Sequence, residues 1–537
     1  MSADRTAVIG EGHLTVDGIV QTQRTRALLV LGASVIGAIL GGLGAGLFTM
    51  SGQATVLAVC AGAAVLPILF WRAPGAAVAL LVVFGAAFAR YGDPESSVDF
   101  LANVPMWRSL NDAAGLSGIY VLPVEVVLVL ALLVWIARDG AVRRLELPRT
   151  ELSVSLAVLV AIALFAEIRG LAAHGDFKIS LYELRPFLYL AAAYLLAAQG
   201  LRHRAAFQAV LWALVLGTAY RGLVGTDLAI KVANVYPRPN QLLEHDESFF
   251  FSLYLVLLVA LWVFGMRGWL RRVATALMPF VLYADLSNNR RAAWAILPAG
   301  LLALAAVTWV RNPTRRRTIA CALAVIFVVS TAYVVAFRYN TSTLAFPAHA
   351  IWSNFRPDPR DWSSNLYRQL EQFNLANDIR NSIVLGSGFG LPFSHVGLSF
   401  DASAFDPLVY YIPHNTVLWV WVKMGVVGML AFWWAMGVAA VAAARLARHG
   451  DRDAALLATL GIAAVAGYFL LGWVDIGLAA VRVAVTVGCL LGAFEAAARA
   501  TGLAPSMVLD EPGAAAVIRP EVITGRQAAA SGVAGRL

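Results

Sequence analysis

A succession of apolar segments is the feature that most constrains the fold of this chain. About 14 stretches are long enough to cross or nearly cross a bilayer, and they start near residues 27, 53, 74, 119, 152, 180, 205, 248, 272, 292, 318, 414, 455 and 476. Because 60% of the 537 residues are hydrophobic and only 14% are charged, the composition excludes a soluble protein of this length. The sequence therefore predicts an all-α, polytopic membrane helix bundle of about 12–14 transmembrane helices.

Arginine-rich connections predict the orientation of this bundle. Basic residues gather in the cytoplasmic loops of membrane proteins, and the net charge of +9 is explained by that rule. The charge therefore gives no support to nucleic-acid binding. We expect both termini to lie on the cytoplasmic side together with Arg24 and Arg26, Arg72, Arg138 to Arg149, Arg202 and Arg204, Arg267 to Arg272, Arg311 to Arg317, and Arg445 to Arg452.

The predicted topology divides the chain into five parts. Residues 1–26 form a cytoplasmic N-terminal tail, and residues 27–337 carry transmembrane helices 1–11. Residues 338–412 form one large extracytoplasmic loop with short helices, and residues 413–499 carry helices 12–14. Residues 500–537 are rich in Ala, Gly and Pro without periodicity, which predicts a disordered cytoplasmic tail.

Three long connections are expected on the outer side, and long loops often carry function. They run from Tyr91 to Gly118, from Gly222 to Glu247 and from Arg338 to Pro413. The last contains one amphipathic helix, which predicts an apolar face and an opposite charged face. The predicted apolar face consists of Leu366, Leu370, Phe373, Ala376 and Ile379, and the charged face of Arg368, Glu371 and Asp378. The glycine run 386–390 that follows is interpreted as a turn returning the loop to the membrane.

Ionisable residues in the apolar segments lean toward the predicted outer side. Charges inside a membrane are costly, so their common depth indicates a polar cavity that opens outward. The alternative is that these residues only pair with each other and hold helices together. The residues concerned are Glu125, Glu167, Glu183, Arg185, Asp285 and Arg482.

A polar pair opens the apolar stretch from Ile412 to Leu430. His414 and Asn415 are followed by nine residues and then by Gly425 and Gly428, a small-residue step that lets another backbone approach closely. This His-Asn-x9-Gly-x-x-Gly pattern resembles the signature of the bacterial O-antigen ligase and polysaccharide polymerase superfamily. Since an imidazole can take a proton near neutral pH, the resemblance implies that His414 is the general base. Asn415 would orient His414 or contact a sugar.

Outer-side arginines are the candidates for binding a diphosphate, because their planar fork matches phosphate oxygens. The turn from Asn288 to Arg291 resembles the Ser-Arg-Gly turn of the superfamily, with Arg290 as the better match and Arg291 as its rival. The family's loop segment, in which an Arg opens a helix that ends at a Gly-x-Gly, resembles the stretch that begins at Arg368. Arg380 is the rival there, and a snorkelling or solvated charge is the alternative for each arginine.

Two further arginines, Arg185 and Arg221, are candidates for substrate binding on position alone. Among all candidates, the resemblance gives catalytic roles to His414, Arg290 and Arg368. Because arginines can neutralise a leaving diphosphate, the sequence calls for no metal and no cofactor.

The resemblance implies an inverting, metal-independent glycosyltransferase of the bacterial cytoplasmic membrane, acting on its outer face in lipopolysaccharide or exopolysaccharide biosynthesis. The donor would be a glycan on a polyprenyl diphosphate, and the acceptor a hydroxyl of a glycan or glycolipid. Ligase, polymerase and protein O-oligosaccharyltransferase remain open. A transporter or flippase is the alternative from another class. Such a protein is expected to have an internal repeat and charges at the bilayer centre, and this sequence shows neither.

Overall fold

The computed structural model describes residues 65–111, 120–142, 149–235, 241–340, 342–357, 359–397 and 408–502, together with Gly62. Within these ranges every regular element is a helix, so the predicted all-α fold is confirmed. The predicted N-terminal tail, the first predicted transmembrane segment and almost all of the C-terminal tail lie outside the described residues. The second predicted segment is described from residue 65 onward, and its end at residues 65–72 is helical.

The helices that follow are numbered here in chain order. Two single-turn 3-10 helices lie between them at Pro313–Arg315 and Gly477–Ala479. The helices are α1 (Pro74–Ala87), α2 (Pro123–Val142), α3 (Glu151–Ala172), α4 (Phe177–Gly200), α5 (Arg204–Lys231), α6 (Glu247–Val263), α7 (Trp269–Asn288), α8 (Ala293–Arg311), α9 (Arg316–Phe337), α10 (Phe346–Trp352), α11 (Pro359–Asn381), α12 (Thr416–His449), α13 (Arg452–Val474) and α14 (Val481–Ala500).

Seven helical stretches of the described chain are long and apolar enough to cross a membrane, which makes this a multi-pass membrane protein. They are α3, α5, α8, α12, α13, α14 and the stretch Pro313–Phe337, which contains α9. Two shorter apolar helices are α1 and α6, with 14 and 17 residues. The larger number of crossings expected from the sequence stays a prediction.

Small residues allow the central helices to pack closely. A Cβ added at Gly488 of α14 would lie 2.3 Å from the Leu190 carbonyl oxygen of α4. One added at Gly492 would lie 2.3 Å from the Tyr194 carbonyl oxygen of the same helix. Backbones in such contact gain van der Waals energy, which replaces the hydrophobic effect as the driving force within lipid. The pair α4 and α14 therefore forms a tight centre of the bundle.

The ends of the helices define two faces of the bundle. At one end Arg204 pairs with Asp453 at 2.8 Å, and Arg311 donates to the Gly450 carbonyl oxygen at 2.8 Å. We call this end the arginine face. The opposite end carries the loop with α10 and α11, and we call it the loop face. Because α12 begins and α13 ends at the loop face, the polar ends of these two helices meet there.

One expected outer connection is wrong at its start. The sequence suggested a loop from Gly222, but α5 continues to Lys231. Gly222 lies within this helix, where an added Cβ would be 3.0 Å from Val281 of α7. The glycine therefore serves helix packing and does not end the helix.

The segment at residues 383–390 inserts against a break in α12. Gly425 has a φ of 69°, which interrupts the helix, and a Cβ there would lie 2.1 Å from the Val384 carbonyl oxygen. The Ser387 N–H donates to the Val422 carbonyl at 2.7 Å, and the Val426 N–H donates to the Ile383 carbonyl at 2.8 Å. Close backbone approach at Gly425 is thus confirmed. The glycine run does more than turn, since it holds the loop to the helix that starts beside His414.

Candidate active site at the loop face

The start of α12 is fixed on two sides. Asn415 is the N-cap, and its Oδ1 accepts a hydrogen bond from the Leu418 N–H at 3.1 Å. The Thr416 hydroxyl donates to the Gly472 carbonyl oxygen at 3.0 Å, which ties this start to the end of α13. His414 therefore lies one residue before a rigid helix end.

Glu371 of α11 holds His414 through two contacts. Its Oε2 accepts from the His414 N–H at 3.0 Å, and its Oε1 lies 3.2 Å from the His414 Nδ1. An ionised carboxylate can only accept, so Nδ1 carries the hydrogen and Nε2 of a neutral ring is left to take a proton. The Glu371 side chain is 1% exposed and the imidazole 32% exposed, which leaves the ring accessible on a buried support.

The surroundings of His414 also change its acidity. Burial disfavours the charged imidazole, but the hydrogen bond and the negative charge of Glu371 outweigh this effect and raise the pKa of His414 above its ordinary value. Arg368 acts in the opposite direction and lowers that pKa. The ring is thereby a stronger base than a free imidazole, which suits removal of a proton from a weakly acidic hydroxyl.

The predicted apolar face of α11 is wrong at Leu366 and Phe373, which are exposed, although Ile379 packs against a buried apolar cluster. Phe373 is 64% exposed, whereas Glu371, Asn374 and Leu375 are buried. Asn374 exchanges hydrogen bonds with the Val396 backbone, and the Asp378 carboxylate accepts from the Ser394 N–H at 2.7 Å. These polar side chains contact the following loop because its backbone groups need side-chain partners. The same side of α11 carries Glu371 to His414.

A cavity of about 140 Å³ lies in front of the imidazole. Its wall includes the buried side-chain amide of Asn415, whose Nδ2 has no partner within the described residues. That N–H2 group can donate to a ligand in the cavity. The structure thus brings three predicted site residues together, and the full lining is Arg368, Glu371, Gln372, His414, Asn415, Trp473 and Val474.

A second histidine and carboxylate pair lies beside the cavity. His245, just before α6, has its Nδ1 2.6 Å from the Asp475 Oδ2, and Asp475 directly follows the cavity residues Trp473 and Val474. Burial alone would raise the pKa of Asp475, but His245, then His414, and then Arg368 outweigh it and hold the pKa well below its usual range. The imidazoles of His245 and His414, each oriented by a carboxylate, therefore both act on the charge of Asp475.

Arg290 and Arg291 lie in the turn between α7 and α8. Arg290 donates to the Leu243 carbonyl oxygen at 3.4 Å, two residues before His245. Arg291 donates to the Asn365 side chain of α11 at 3.0 Å. Asn289 has a φ of 61°, which lets the chain reverse sharply at the end of α7. The turn thus contacts both the His245 segment and the helix that carries Arg368.

Besides Arg290 and Arg291, three more predicted site arginines do not line the cavity. Arg185 is buried and pairs with Glu125 at 2.7 Å. Arg221 is buried among Asp93, Asp99 and Glu247, at 2.7, 3.3 and 2.9 Å. Arg380 is exposed and lies about 18 Å along α11 from Arg368, twelve residues at 1.5 Å each. Substrate binding by these three stays a prediction.

Arg482 of α14 anchors the segment before α6. It pairs with Glu244, Asp246 and Glu247, at 2.9, 3.1 and 3.1 Å. These three carboxylates lie close enough to share a metal ion. Each is already bonded to the guanidinium of Arg482, so the group serves to anchor the chain on both sides of His245.

Residues 273–433 match the family model described as O-antigen ligase. This match covers 161 of the 537 residues and supports membership of the O-antigen ligase superfamily, the family predicted from the His-Asn motif. No curated protein matches the chain.

The O-antigen ligase domain includes only part of the site. It runs from α7 into α12 and contains Arg290, Arg368, Glu371 and His414. His245 and Asp475 lie before and after it in sequence, and the sequence prediction missed both. The available signal was weak, consisting of a histidine within the acidic run 244–247 and an acidic residue directly after an apolar helix.

Proposed function

We propose that this protein is a membrane glycosyltransferase that moves a glycan from a polyprenyl diphosphate to an acceptor hydroxyl. The observation that carries the proposal is the imidazole of His414, which is oriented by a buried carboxylate and lies beside Arg368 in a cavity. The O-antigen ligase domain that contains both residues supports the same class of reaction. An O-antigen ligase or a polysaccharide polymerase fits this arrangement.

The proposed reaction uses His414 as the base. Its Nε2 takes the proton of the acceptor hydroxyl while that oxygen bonds to the anomeric carbon of the glycan. The bond between this carbon and the diphosphate oxygen breaks, and the diphosphate keeps the electron pair. A single displacement of this kind inverts the configuration at carbon. Glu371 stabilises the imidazolium that forms, as a carboxylate does in other carboxylate-histidine pairs.

Arginines are assigned to the leaving diphosphate. Its negative charge grows as the bond breaks, and preorganised cations stabilise such charge best where water is limited. Arg368 lines the cavity, and Arg290 contacts the chain two residues before His245. The Asn415 Nδ2 is assigned to a sugar hydroxyl. In this scheme the arginines do the charge neutralisation that a metal ion does in other transferases.

The proposed orientation places the loop face outside the cytoplasmic membrane. The arginine face carries Arg204, Arg267, Arg311, Arg448 and Arg452, and an excess of arginine is typical of cytoplasmic ends. The carrier diphosphate would then lie at the depth of the outer head groups, level with the start of α12.

The test is glycan transfer by purified protein with a lipid-linked donor and a glycolipid acceptor. We expect release of polyprenyl diphosphate by the unmodified protein and a loss of about 10²- to 10⁴-fold for His414→Ala, the usual range for a general base. His349→Ala is the matched control, because His349 lies in α10 of the same loop and contacts the Arg338 backbone. Normal transfer by His414→Ala protein would show that His414 is not the base.

Deletion in the native host separates the two enzyme classes. Loss of a ligase should leave carrier-linked polymer, and loss of a polymerase should leave single repeat units, both visible by gel analysis of surface glycans. Accumulation of a glycan in vesicles by the purified protein, without release of the carrier, would instead identify a transporter.

A further inference from the structure

A second cavity lies at the arginine face, opposite the candidate active site. It has a volume of about 530 Å³, within the range of small-molecule sites. Four structural parts surround it: the start of α5, the turn between α6 and α7, the start of α13 and the end of α14. Since α13 begins here and ends beside Asp475, its 23 residues separate the two sites by about 35 Å.

The inner walls of this arginine-face cavity are apolar. Leu211, Leu261, Leu456 and Leu457 are buried in its lining, and Trp212 is half-buried. From Arg204 at the rim to Trp212 the wall extends about 12 Å along α5, eight residues at 1.5 Å each. An apolar wall of this length suits the hydrocarbon chain of a lipid better than a water-soluble ligand.

The rim of the cavity is positively charged. Arginines outnumber aspartates by two in its lining, which contains Arg202, Arg204, Arg267 and Arg271 as well as Asp451 and Asp453. Arg202 and Arg204 already pair with carboxylates, Asp139 and Asp453. Arg267 and Arg271 have no ion pair within the described residues. Arg271 lies instead over the Trp262 ring at 4.2 Å.

Two exposed tryptophans flank the basic turn. Trp262 and Trp269 stand on either side of it with side chains turned outward. Tryptophan collects at the level of lipid head groups, where its ring is apolar and its N–H is wet. The cavity therefore opens at head-group level, with cations at the mouth and hydrocarbon behind.

We propose that the arginine-face cavity is a binding site for an anionic phospholipid of the adjoining leaflet. Its phosphate would contact Arg267 and Arg271, and an acyl chain would lie along Trp212 and the leucines. Basic pockets between transmembrane helices bind acidic head groups in this way. The bound lipid would join α5, α7, α13 and α14, and so stabilise the helix that ends at the candidate active site.

The test is lipid binding by the full chain in detergent, followed by native mass spectrometry, with phosphatidylglycerol and phosphatidylcholine as probes. We expect selective retention of phosphatidylglycerol and about 30-fold weaker binding for Arg267→Gln/Arg271→Gln, given the usual contribution of two basic residues. Arg267→Lys/Arg271→Lys keeps both charges and should keep most of the binding. Arg445→Gln/Arg448→Gln is the control, because these arginines are exposed at the same face outside the cavity.

Three results would overturn the lipid site. The first is equal retention of phosphatidylcholine. The second is an equal loss of phosphatidylglycerol in the control variant or no loss in the cavity variant. The third is an equal rise of the unfolding temperature with inorganic phosphate alone and with phosphatidylglycerol, which would identify a site for a free anion. Thermal unfolding of every variant without lipid separates a folding defect from lost binding.

Discussion

Two groups of charged residues at the loop face differ in how completely their charges are paired. Arg221 and Arg482 are each bonded to three carboxylates and are almost fully buried. Around His414 the imidazole is partly exposed, and the Asn415 amide nitrogen has no partner within the described residues. Buried groups with internal partners are not accessible to a substrate, so the first group supports the fold and the second is suited to bind and react.

The largest expected effect is on stability, in the paired group. Arg221→Ala should destabilise the protein by about 3–5 kcal/mol, because it leaves Asp93 and the buried Asp99 without their cation and leaves Glu247 with Arg482 alone. Thermal unfolding in detergent would measure this, and Arg380→Ala is the control, an arginine that is exposed. A normal unfolding temperature together with lost glycan transfer would instead make Arg221 a substrate-binding residue.

Arg368 belongs to the second group, around His414, where the expected effect is on activity. Arg368→Gln should reduce glycan transfer by roughly 10- to 100-fold, the value of a charge-assisted hydrogen bond, without lowering the unfolding temperature. Arg380→Gln lies on the same helix outside the cavity and should leave transfer unchanged. If both variants transfer normally, Arg368 is a solvated charge and the diphosphate must be bound elsewhere.

Glu371 affects how glycan transfer depends on pH. Below the raised pKa of His414 the ring is protonated and cannot take a proton, so transfer should rise as the pH increases through that value. Glu371→Gln removes the charge that raises this pKa, so the rise should move to lower pH. The maximum rate should fall about 10²-fold or more, because a glutamine amide can donate to Nδ1 and leave the hydrogen on Nε2. An unchanged pH profile would show that His414 does not act through Glu371.

His245 should give the smallest effect and sharpen the boundary between the two groups. Its neighbours in sequence bind Arg482, whereas its ring binds Asp475 beside the cavity. His245→Gln can still donate to Asp475, so a purely supporting role predicts nearly normal transfer. A role in proton transfer predicts a loss of about tenfold or more with a changed pH profile. Kinetics at several pH values distinguish the two outcomes.

Much of the fold follows from local patterns. The apolar runs predicted most helices to within a few residues, because burial in lipid forces the backbone to bond within each segment. The His-Asn motif placed His414 at the start of α12. The face of α11 was predicted wrongly, because periodicity describes an isolated helix, whereas Glu371 and Asp378 accept hydrogen bonds from backbone groups of the loop that follows it.

The sequence alone determined that this chain is a helical membrane protein and marked the family of its central domain, since hydrophobic length and a spaced motif are properties of short stretches. Only the tertiary structure decided which charges face a cavity. Arg185, Arg221 and Arg368 look alike in sequence, yet the first two are buried in ion pairs with carboxylates and the third lines the space before His414. Whether an arginine has a partner depends on helices far away along the chain, because ion pairs form across the bundle.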